Sequence, residues 1–334
     1  MTRWLRWLLS LAPRGDARGP RLVILRHHRV YGPDERPLYR LGVGVRVFER
    51  QLELLARLGS APVTVAEGLA WLAGAREGTC VALSFDDGYR DNVTRALPLL
   101  ERHGARGTFY LTAGLIEDRL APWWDRLAYR IERAQVTRFD SRFEGRSLKL
   151  ALGSASERRR AFAEIVPLLR VAPEVQERRL QNLSDALRAP GEAPCELATW
   201  DELGSLAARG MEVGAHTLTH PLLTRLSPER QDAEIGGSAA MIRSKLGVEC
   251  AGFAFPGGDY DARSVQSCAR HRMRYAVTTR RGDVRPGTEP FELPRRGLSE
   301  GACVGPTGRF SSRMARAELA GAFDGWRRVA EMAS

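Results

Sequence analysis

The stretch that most constrains the fold is an apolar run, Val81–Phe85, followed directly by Asp86, Asp87 and Gly88. An apolar run of this length bounded by turn residues is typical of a buried strand. Two carboxylates at its end need partners, a metal ion or shifted pKa values, because an isolated carboxylate is costly to desolvate. In α/β folds, active sites are built at the carboxyl ends of such strands. A surface turn that caps a helix would have the same Asp-Asp-Gly letters, so this stretch alone leaves both interpretations open.

A second short strand is predicted at Met211–Ala215, and two histidines follow it, His216 and His220. A spacing of four residues lets both imidazoles reach one ion from a loop or a first helical turn. Histidines spaced in this way also occur by chance or in structural roles. Together with an Asp-Asp pair after an earlier strand, the spacing predicts a metal site made of one Asp and two His, with open positions for water and substrate.

Three stretches together resemble the motifs of a known family. L-S-F-D-D-G at 83–88 and H-T-L-T-H at 216–220 look like the first two motifs of the polysaccharide deacetylase family, the NodB-homology domain of carbohydrate esterase family four, and F-A-F-P-G-G-D-Y-D at 253–261 resembles the third. The resemblance covers about residues 20–117 and 197–300, in the order of the family. It implies an α/β fold, a distorted (β/α)7-type barrel, and hydrolysis of an N-acyl group, most simply N-acetyl on a hexosamine.

The start of the chain resembles one branch of that family. A predicted strand at 21–25 ends at R-H-H-R-V, which is similar to a Y-H-x-V motif with His28 at the His position and His27 where Tyr is usual. In this branch the motif order is circularly permuted, so that the strand bearing the general-acid His comes first. No L-L-H-D motif lies near the C-terminus, which agrees with the permuted motif order. The alternative is a polar pair at a strand end with no chemical role.

The resemblance implies a role for each matching residue. Asp87, His216 and His220 would bind one divalent metal ion, with zinc favoured and cobalt, nickel, iron or manganese also fitting a set of two His and one carboxylate. Asp86 would be the general base that takes a proton from water. Because adjacent residues of an extended chain point apart, the two Asp can have different roles.

Two further groups complete the expected chemistry. The leaving amine needs a general acid, for which His28 is the first candidate and His27 the second. The usual Arg of the third motif is absent, and Arg295 in an L-P-R segment is the candidate that keeps Asp86 ionised; an ordinary surface Arg is the alternative. The backbone N–H of Tyr89 could help to hold an oxyanion.

The rest of the chain predicts the domain plan. Alternating strands and helices over 20–117 and 197–310 predict the two parts of a barrel, interrupted by an inserted helical subdomain over 118–196 and followed by a C-terminal helix over 311–334. Residues 1–19 form an N-terminal amphipathic or disordered segment. Trp123 and Trp124 either line a sugar-binding cleft or pack the insertion onto the barrel.

Composition limits the partners and the compartment. The net charge of +11 reflects either an Arg-rich solvated surface or attraction to an anionic lipid, a lipid-linked phosphate or an acidic glycan. The chain has no zinc finger and no basic helix with interleaved aromatics, so nucleic acid is not expected as a partner. Five scattered cysteines indicate a reducing compartment.

The first 13 residues carry an apolar face too short to span a bilayer and no cleavable signal peptide. They either contact a membrane surface or dock on the protein, and we expect a cytoplasmic protein or one peripheral at the inner membrane face. Two functions besides sugar deacetylation stay open, a metal-dependent amidase or esterase on a small non-carbohydrate substrate and an inactive sugar-binding homologue.

Overall fold

A computed structural model gives the structure and describes residues 7, 10, 19–35, 37–39, 41–75, 77–143 and 146–324. Its centre is a seven-stranded sheet in which every pair of neighbouring strands is parallel. The strands of this sheet are β1 (Arg21–His27), β4 (Thr79–Phe85), β5 (Gly107–Leu111), β8 (Glu212–Ala215), β9 (Gly252–Ala254), β10 (Tyr275–Val277) and β11 (Arg296–Gly297), in the order β10-β9-β8-β5-β4-β1-β11. Two short strands, β2 (Arg29–Tyr31) and β3 (Gly42–Gly44), pair beside it.

The segment before β11 joins the two edges of this sheet. Leu293 forms a parallel bridge with Val277 at one edge, and Arg296 lies opposite Leu25 at the other. The sheet therefore curls into a distorted barrel, as predicted from the β-α alternation and the motif resemblance. Leu293 and Arg295 lie in this closing segment, which carries Arg295 across the mouth of the barrel.

Helices surround the barrel. They are α1 (Val45–Arg57), α2 (Val65–Gly74), α3 (Leu97–Arg102), α4 (Ala113–Glu117), α5 (Trp123–Glu132), α6 (Ala155–Ile165), α7 (Pro173–Leu187), α8 (Trp200–Ala208), α9 (Pro228–Leu246), α10 (Ala262–Arg270) and α11 (Ser312–Leu319). Thr199 caps α8 through a capping box with Glu202, and the Ser227 side chain caps α9. Within the described part of the chain, none of the helices has both the length and the apolarity needed to cross a membrane.

The strands are buried on both faces, as expected for a parallel sheet covered by helices. On β1, Leu22 and Ile24 belong to an inner cluster that also contains Tyr110 and Val277. The intervening Val23 and Leu25 belong to the outer cluster, which packs under the surrounding helices. Because the side-chain period of a strand is two, the next inward position after Leu22 and Ile24 is Arg26.

The predicted insertion forms a small unit with its own core. Helices α5, α6 and α7 contribute buried residues such as Leu127, Phe162 and Leu183. The prediction that this unit is helical needs one correction, because Arg138–Phe143 and Arg146–Ala151 form an antiparallel hairpin, β6–β7. Alternate residues of the hairpin, Phe139 and Leu150 among them, are buried. This alternation is short and lies beside Arg- and Glu-rich helices, so the composition of the segment does not reveal the hairpin.

The described residues include parts of both predicted chain ends. The predicted C-terminal helix over 311–334 is shorter, because α11 stops at Leu319 and Gly321 adopts a left-handed conformation with φ +71°. Its last ten residues, 325–334, lie outside the described residues. Most of the predicted N-terminal segment also lies outside them. Trp7 is described and packs against a small cluster formed by Met314, Ala317 and Phe323.

Candidate active site

Three predicted metal ligands converge at the carboxyl ends of β4 and β8. One ligand atom from each of Asp87, His216 and His220 lies within 4.8 Å of the others. The Asp87 Oδ1 atom is 3.5 Å from His216 Nε2 and 3.7 Å from His220 Nε2. Residues separated by about 130 positions in the sequence therefore meet at one point of the barrel mouth.

The backbone at this point adopts unusual conformations. Asp87, Thr217 and His220 all have positive φ angles, of 79°, 66° and 60°, which residues other than glycine rarely adopt. Such conformations persist only where surrounding contacts hold them, and they cluster at functional sites. Here the Thr112 hydroxyl donates to the Asp87 carbonyl at 2.8 Å, and the Glu234 carboxylate accepts from the backbone of the loop before His220.

The donor set of this cluster fits a divalent metal ion. Both carboxylate oxygens of Asp87 are buried and have no hydrogen-bond partner among the described residues, although buried polar atoms are nearly always paired. The His216 Nδ1 atom lies 2.6 Å from the carbonyl oxygen of Ala254. This contact requires the proton on Nδ1 and leaves the Nε2 lone pair directed at Asp87, which is the usual arrangement of a metal-binding histidine. One carboxylate oxygen and two imidazole nitrogens are ligands that zinc and its neighbours accept.

The neighbouring Asp86 points the other way and is held by Arg295. The guanidinium donates from Nη1 to Asp86 Oδ1 at 2.6 Å and from Nη2 to Oδ2 at 2.8 Å, a bidentate pair in which both side chains are buried. The Arg295 side chain also donates to the Thr278 carbonyl and the Ser84 hydroxyl. Burial raises the pKa of Asp86, but Arg295, His216 and His28 together lower it by more, and the pKa is lowered overall. Asp86 is therefore ionised at every pH at which the protein would work.

The two adjacent histidines of the N-terminal motif have different surroundings. His28 lines the cleft, and its Nε2 atom lies 3.8 Å from Asp86 Oδ2. His27 faces the outer core, where its ring packs against Phe48 and Phe85. Burial lowers the pKa of His27 to about 4, and burial also lowers the pKa of His28 although the nearby carboxylates raise it. Only His28 is positioned to contact a bound substrate.

These residues lie in one cleft of about 460 Å³ with two different walls. The barrel wall carries the carboxylates and histidines. The other wall comes from the predicted insertion and consists of Trp123, Trp124, Phe162, Val166, Arg170 and Gln176. Trp124 packs edge-on against His220, with 4.4 Å between ring centroids, so the insertion contacts the predicted metal ligands directly. Trp123 and Trp124 thus both line the cleft, and Trp124 also attaches the insertion to the barrel.

A buried polar network links these two walls, and the sequence pattern does not reveal it. The Trp124 indole donates to the Tyr89 hydroxyl at 2.7 Å, which donates to Asp125 Oδ2 at 2.9 Å. The Tyr39 hydroxyl donates to the other oxygen of Asp125. Burial raises the pKa of Asp125 to about 6, and the two tyrosine hydrogen bonds oppose this only in part. No motif marks these residues, because the contacts join distant segments.

The Tyr89 backbone N–H was predicted to help hold an oxyanion. It donates no hydrogen bond to any other residue that the structure describes. Its neighbours Gly88 and Arg90 are tied to the 196–198 segment by backbone hydrogen bonds, which fixes the orientation of the turn. The Tyr89 N–H is therefore free to donate a hydrogen bond to a ligand oxygen.

A family model described as polysaccharide deacetylase matches residues 73–276, more than half of the chain. The matched range contains Asp86, Asp87, His216 and His220 and leaves out His28 and Arg295. The chain is also 18% identical over 296 residues to YxkH of Bacillus subtilis (strain 168), which is named after the polysaccharide deacetylases; the match covers 88% of this chain and 77% of YxkH.

Solved structures of similar fold have low sequence identity. The Streptococcus pyogenes deacetylase PplD in complex with acetate has a TM-score of 0.56 at 20% identity, covering 83% of this chain and 92% of PplD. IcaB from Ammonifex degensii has a TM-score of 0.53 at 21% identity, covering 83% and 91%. The BpsB deacetylase domain from Bordetella bronchiseptica has a TM-score of 0.52 at 16% identity, covering 84% and 96%. At these identities, the likeness establishes a common fold.

Proposed function

The chain belongs to the polysaccharide deacetylase family, whose members are hydrolases of N-acetyl amide bonds, and from this premise we propose that it is a metal-dependent enzyme that deacetylates an amino-sugar polysaccharide, oligosaccharide or lipid-linked saccharide. One observation carries the proposal. Within the described chain, the two oxygens of the buried Asp87 carboxylate have no hydrogen-bond partner and lie beside two imidazoles, and the preceding residue, Asp86, is a second carboxylate paired with Arg295.

Asp87, His216 and His220 would hold the metal ion, with zinc favoured and cobalt, nickel, iron or manganese also compatible. When bound, such an ion polarises a carbonyl group and lowers the pKa of water. The unpartnered Asp87 oxygens and the oriented His216 ring support this assignment.

Asp86 would be the general base. Its lowered pKa keeps it able to accept a proton, and each of its oxygens retains a lone pair beyond the one that Arg295 occupies. A water molecule between the two aspartates could therefore pass a proton to Asp86. Arg295 would position the carboxylate and hold it ionised.

His28 would be the general acid that protonates the leaving amine. Because burial lowers its pKa, the imidazole starts the reaction neutral and must gain a proton before it can give one. Asp86 Oδ2 lies 3.8 Å from His28 Nε2, and a carboxylic acid of low pKa transfers its proton readily to an imidazole. We therefore infer that the proton taken from water at Asp86 passes to His28 and then to the amine nitrogen. The permuted motif order of the N-terminal branch is part of this proposal.

Two other functions compete with saccharide deacetylation. A small-molecule amidase or esterase would use the same residues, but the cleft is open and has Trp123 and Trp124 on one wall, and aromatic faces of this kind suit sugar rings. An inactive sugar-binding homologue would have no need of the strained backbone or of the buried Asp86–Arg295 pair. Both observations favour the enzyme that acts on saccharides.

The test is acetate release from N-acetylglucosamine oligomers by protein stripped of metal and then loaded with zinc, cobalt, nickel, iron or manganese in turn. We expect release only with a metal present, and none from the Asp87→Asn variant. Turnover of small aryl acetamides or acetates with no turnover of any saccharide would favour the small-molecule amidase or esterase. Saccharide binding without hydrolysis under any metal would favour the inactive homologue.

From the sequence alone we also propose a cytoplasmic protein, or one peripheral at the inner membrane face, with membrane contact through residues 1–13. The measurement is the share of full-length and Δ1–13 protein that sediments with membranes. Equal shares would contradict the membrane contact.

A further inference from the structure

Arg26 is a charged residue of the cleft for which the proposed chemistry has no use. It lies on β1 opposite Ser84 of β4 and Gly297 of β11, and its side chain lines the cleft with Asp86 and Asp87. It is only partly accessible to solvent. Among the residues that the structure describes, none forms a hydrogen bond or an ion pair with its guanidinium.

Among the described residues, neither carboxylate near Arg26 forms an ion pair with it. Both oxygens of Asp86 are already bound by Arg295, and Asp87 faces His216 and His220. Burial lowers the pKa of Arg26 to about 10, and the neighbouring Arg295 lowers it further than Asp86 raises it. Largely buried charges are normally paired, because desolvating an unpaired charge costs several kcal/mol. The burial of an unpaired Arg26 is explained if a bound ligand supplies the anion that pairs with it.

A second unpaired arginine lies on the opposite wall. Arg170 follows the short turn Val166–Leu169 of the insertion and lines the same cleft. Its side chain is exposed and has no ion-pair partner within the described ranges. Two other arginines of this region do have carboxylate partners: the half-buried Arg126 pairs with Glu177, and the exposed Arg230 pairs with Glu174. The two free guanidinium groups of the cleft thus lie on its two sides.

We propose that the substrate is an acidic saccharide, and that Arg26 binds a carboxylate or phosphate group close to the acetylated nitrogen while Arg170 binds a second anionic group further along the sugar chain. This inference rests on the proposed function and adds the substrate class. A guanidinium presents a planar pair of donors that matches both carboxylate and phosphate oxygens. The geometry makes Arg26 a specificity-determining residue, because it faces the barrel mouth where the scissile amide would lie.

An alternative role for Arg26 is general stabilisation of negative charge during the reaction. The two roles have different kinetic consequences. A residue that binds an anionic substituent affects only substrates that carry one, and its loss raises KM. A residue that stabilises a developing oxyanion affects every substrate, and its loss lowers kcat.

The experiment compares three substrates of similar length: a neutral N-acetylglucosamine oligomer, one carrying a uronic acid, and one carrying a phosphate ester. For Arg26→Gln we expect the preference for acidic over neutral substrate, as a ratio of kcat/KM, to fall by about tenfold to a hundredfold, the range of a charged hydrogen bond. Arg26→Lys should retain more of this preference than Arg26→Gln, because lysine keeps the positive charge but lacks the paired N–H donors of a guanidinium. Arg170→Gln should reduce the preference by less, because its side chain is solvated. Comparing the uronic acid substrate with the phosphate ester substrate identifies which anion Arg26 binds.

Arg160→Gln is the matched control, because Arg160 is an exposed arginine of α6 in the same insertion that does not line the cleft. It should leave the preference unchanged. A wild-type preference for the neutral oligomer, or an equal loss on all three substrates in Arg26→Gln, would overturn the inference and leave the proposed deacetylase intact. Should no saccharide be hydrolysed, the proposed function fails, and calorimetric binding of the same three oligomers still decides whether Arg26 selects an anion.

Discussion

The two walls of the cleft differ in how they are built and in what they contribute. The barrel wall places Asp86, Asp87 and His216 at the ends of parallel strands, where the register of a buried sheet determines their positions. The insertion wall presents aromatic residues and a solvated arginine from helices and a turn. Buried strands hold side chains more tightly than a small peripheral unit does. The barrel wall therefore carries the groups proposed for bond cleavage together with Arg26, and the insertion wall adds the aromatic surface and Arg170 that would contact more distant parts of a saccharide.

The largest expected effect comes from the barrel wall. Asp87→Asn, His216→Ala or His220→Ala should each remove the bound metal ion and reduce kcat by at least about a thousandfold, because all three would be metal ligands. Metal content by mass spectrometry and acetate release check this together. Trp124→Phe is the control from the other wall, since it touches His220 without being a ligand. A loss of metal and kcat in Trp124→Phe as large as that in His220→Ala would contradict the assignment of metal binding to the barrel wall.

The Asp86→Asn variant should distinguish the role of Asp86 from that of Asp87. We expect it to keep the metal ion and to lose about a hundredfold to ten-thousandfold in kcat, the usual contribution of a general base. It should also destabilise the protein by about 3–5 kcal/mol, because Arg295 would be left buried without its partner.

The double variant Asp86→Asn/Arg295→Met should be less destabilised than the sum of its single variants, since the two residues form one pair. Urea denaturation measures this coupling. Metal loss in Asp86→Asn would mean that the roles of Asp86 and Asp87 are exchanged.

His28→Gln should slow amide hydrolysis by about a hundredfold, because the amine would leave without a proton. Hydrolysis of an activated aryl acetate, whose leaving group needs no proton, should be affected far less. His27→Gln is the matched control, because His27 faces Phe48 and Gln51 in the core. It should lower stability and leave the amide-to-ester ratio unchanged. If His27→Gln changed this ratio and His28→Gln did not, the assignment of the general acid would be wrong.

Most of the barrel wall could be predicted from the sequence because its carboxylates and histidines follow strands within short motifs. Strand β4 with Asp86 and Asp87, and the β8 segment with His216 and His220, were located from local apolar runs and spacing alone. Arg26 lies directly before the N-terminal histidines, and no motif marks it, because its place in the cleft depends on which face of β1 it occupies. The period of two on β1 contains that information once the inward positions of Leu22 and Ile24 are known.

The insertion wall could not be predicted to the same extent. Its hairpin, β6–β7, has a weak alternation beside strong helical signals, and the network of Tyr39, Tyr89 and Asp125 joins residues up to 86 positions apart. Side-chain contacts between distant segments depend on how the insertion docks, which no local pattern encodes. The polar anchor of the insertion is therefore known only from the structure.

The smallest expected effect tests this anchor through its pH dependence. The pKa of Asp125 rises from an ordinary value near 4 to about 6 in the folded protein, so the folded state binds a proton more tightly than the unfolded state does. The contribution of Asp125 to the unfolding free energy should therefore fall as the pH rises from about 4 to 7, by at most roughly 3 kcal/mol.

Asp125→Asn should remove this dependence of the unfolding free energy on pH, so that the stability of the variant relative to wild type is better at pH 8 than at pH 5. Denaturant unfolding at both pH values measures the difference, and Glu164→Gln, an exposed carboxylate on α6, should leave the slope as it is. An unchanged slope in Asp125→Asn would mean that Tyr39 and Tyr89 keep the carboxylate ionised, and that the insertion is anchored by a permanent charge with no dependence on pH in this range.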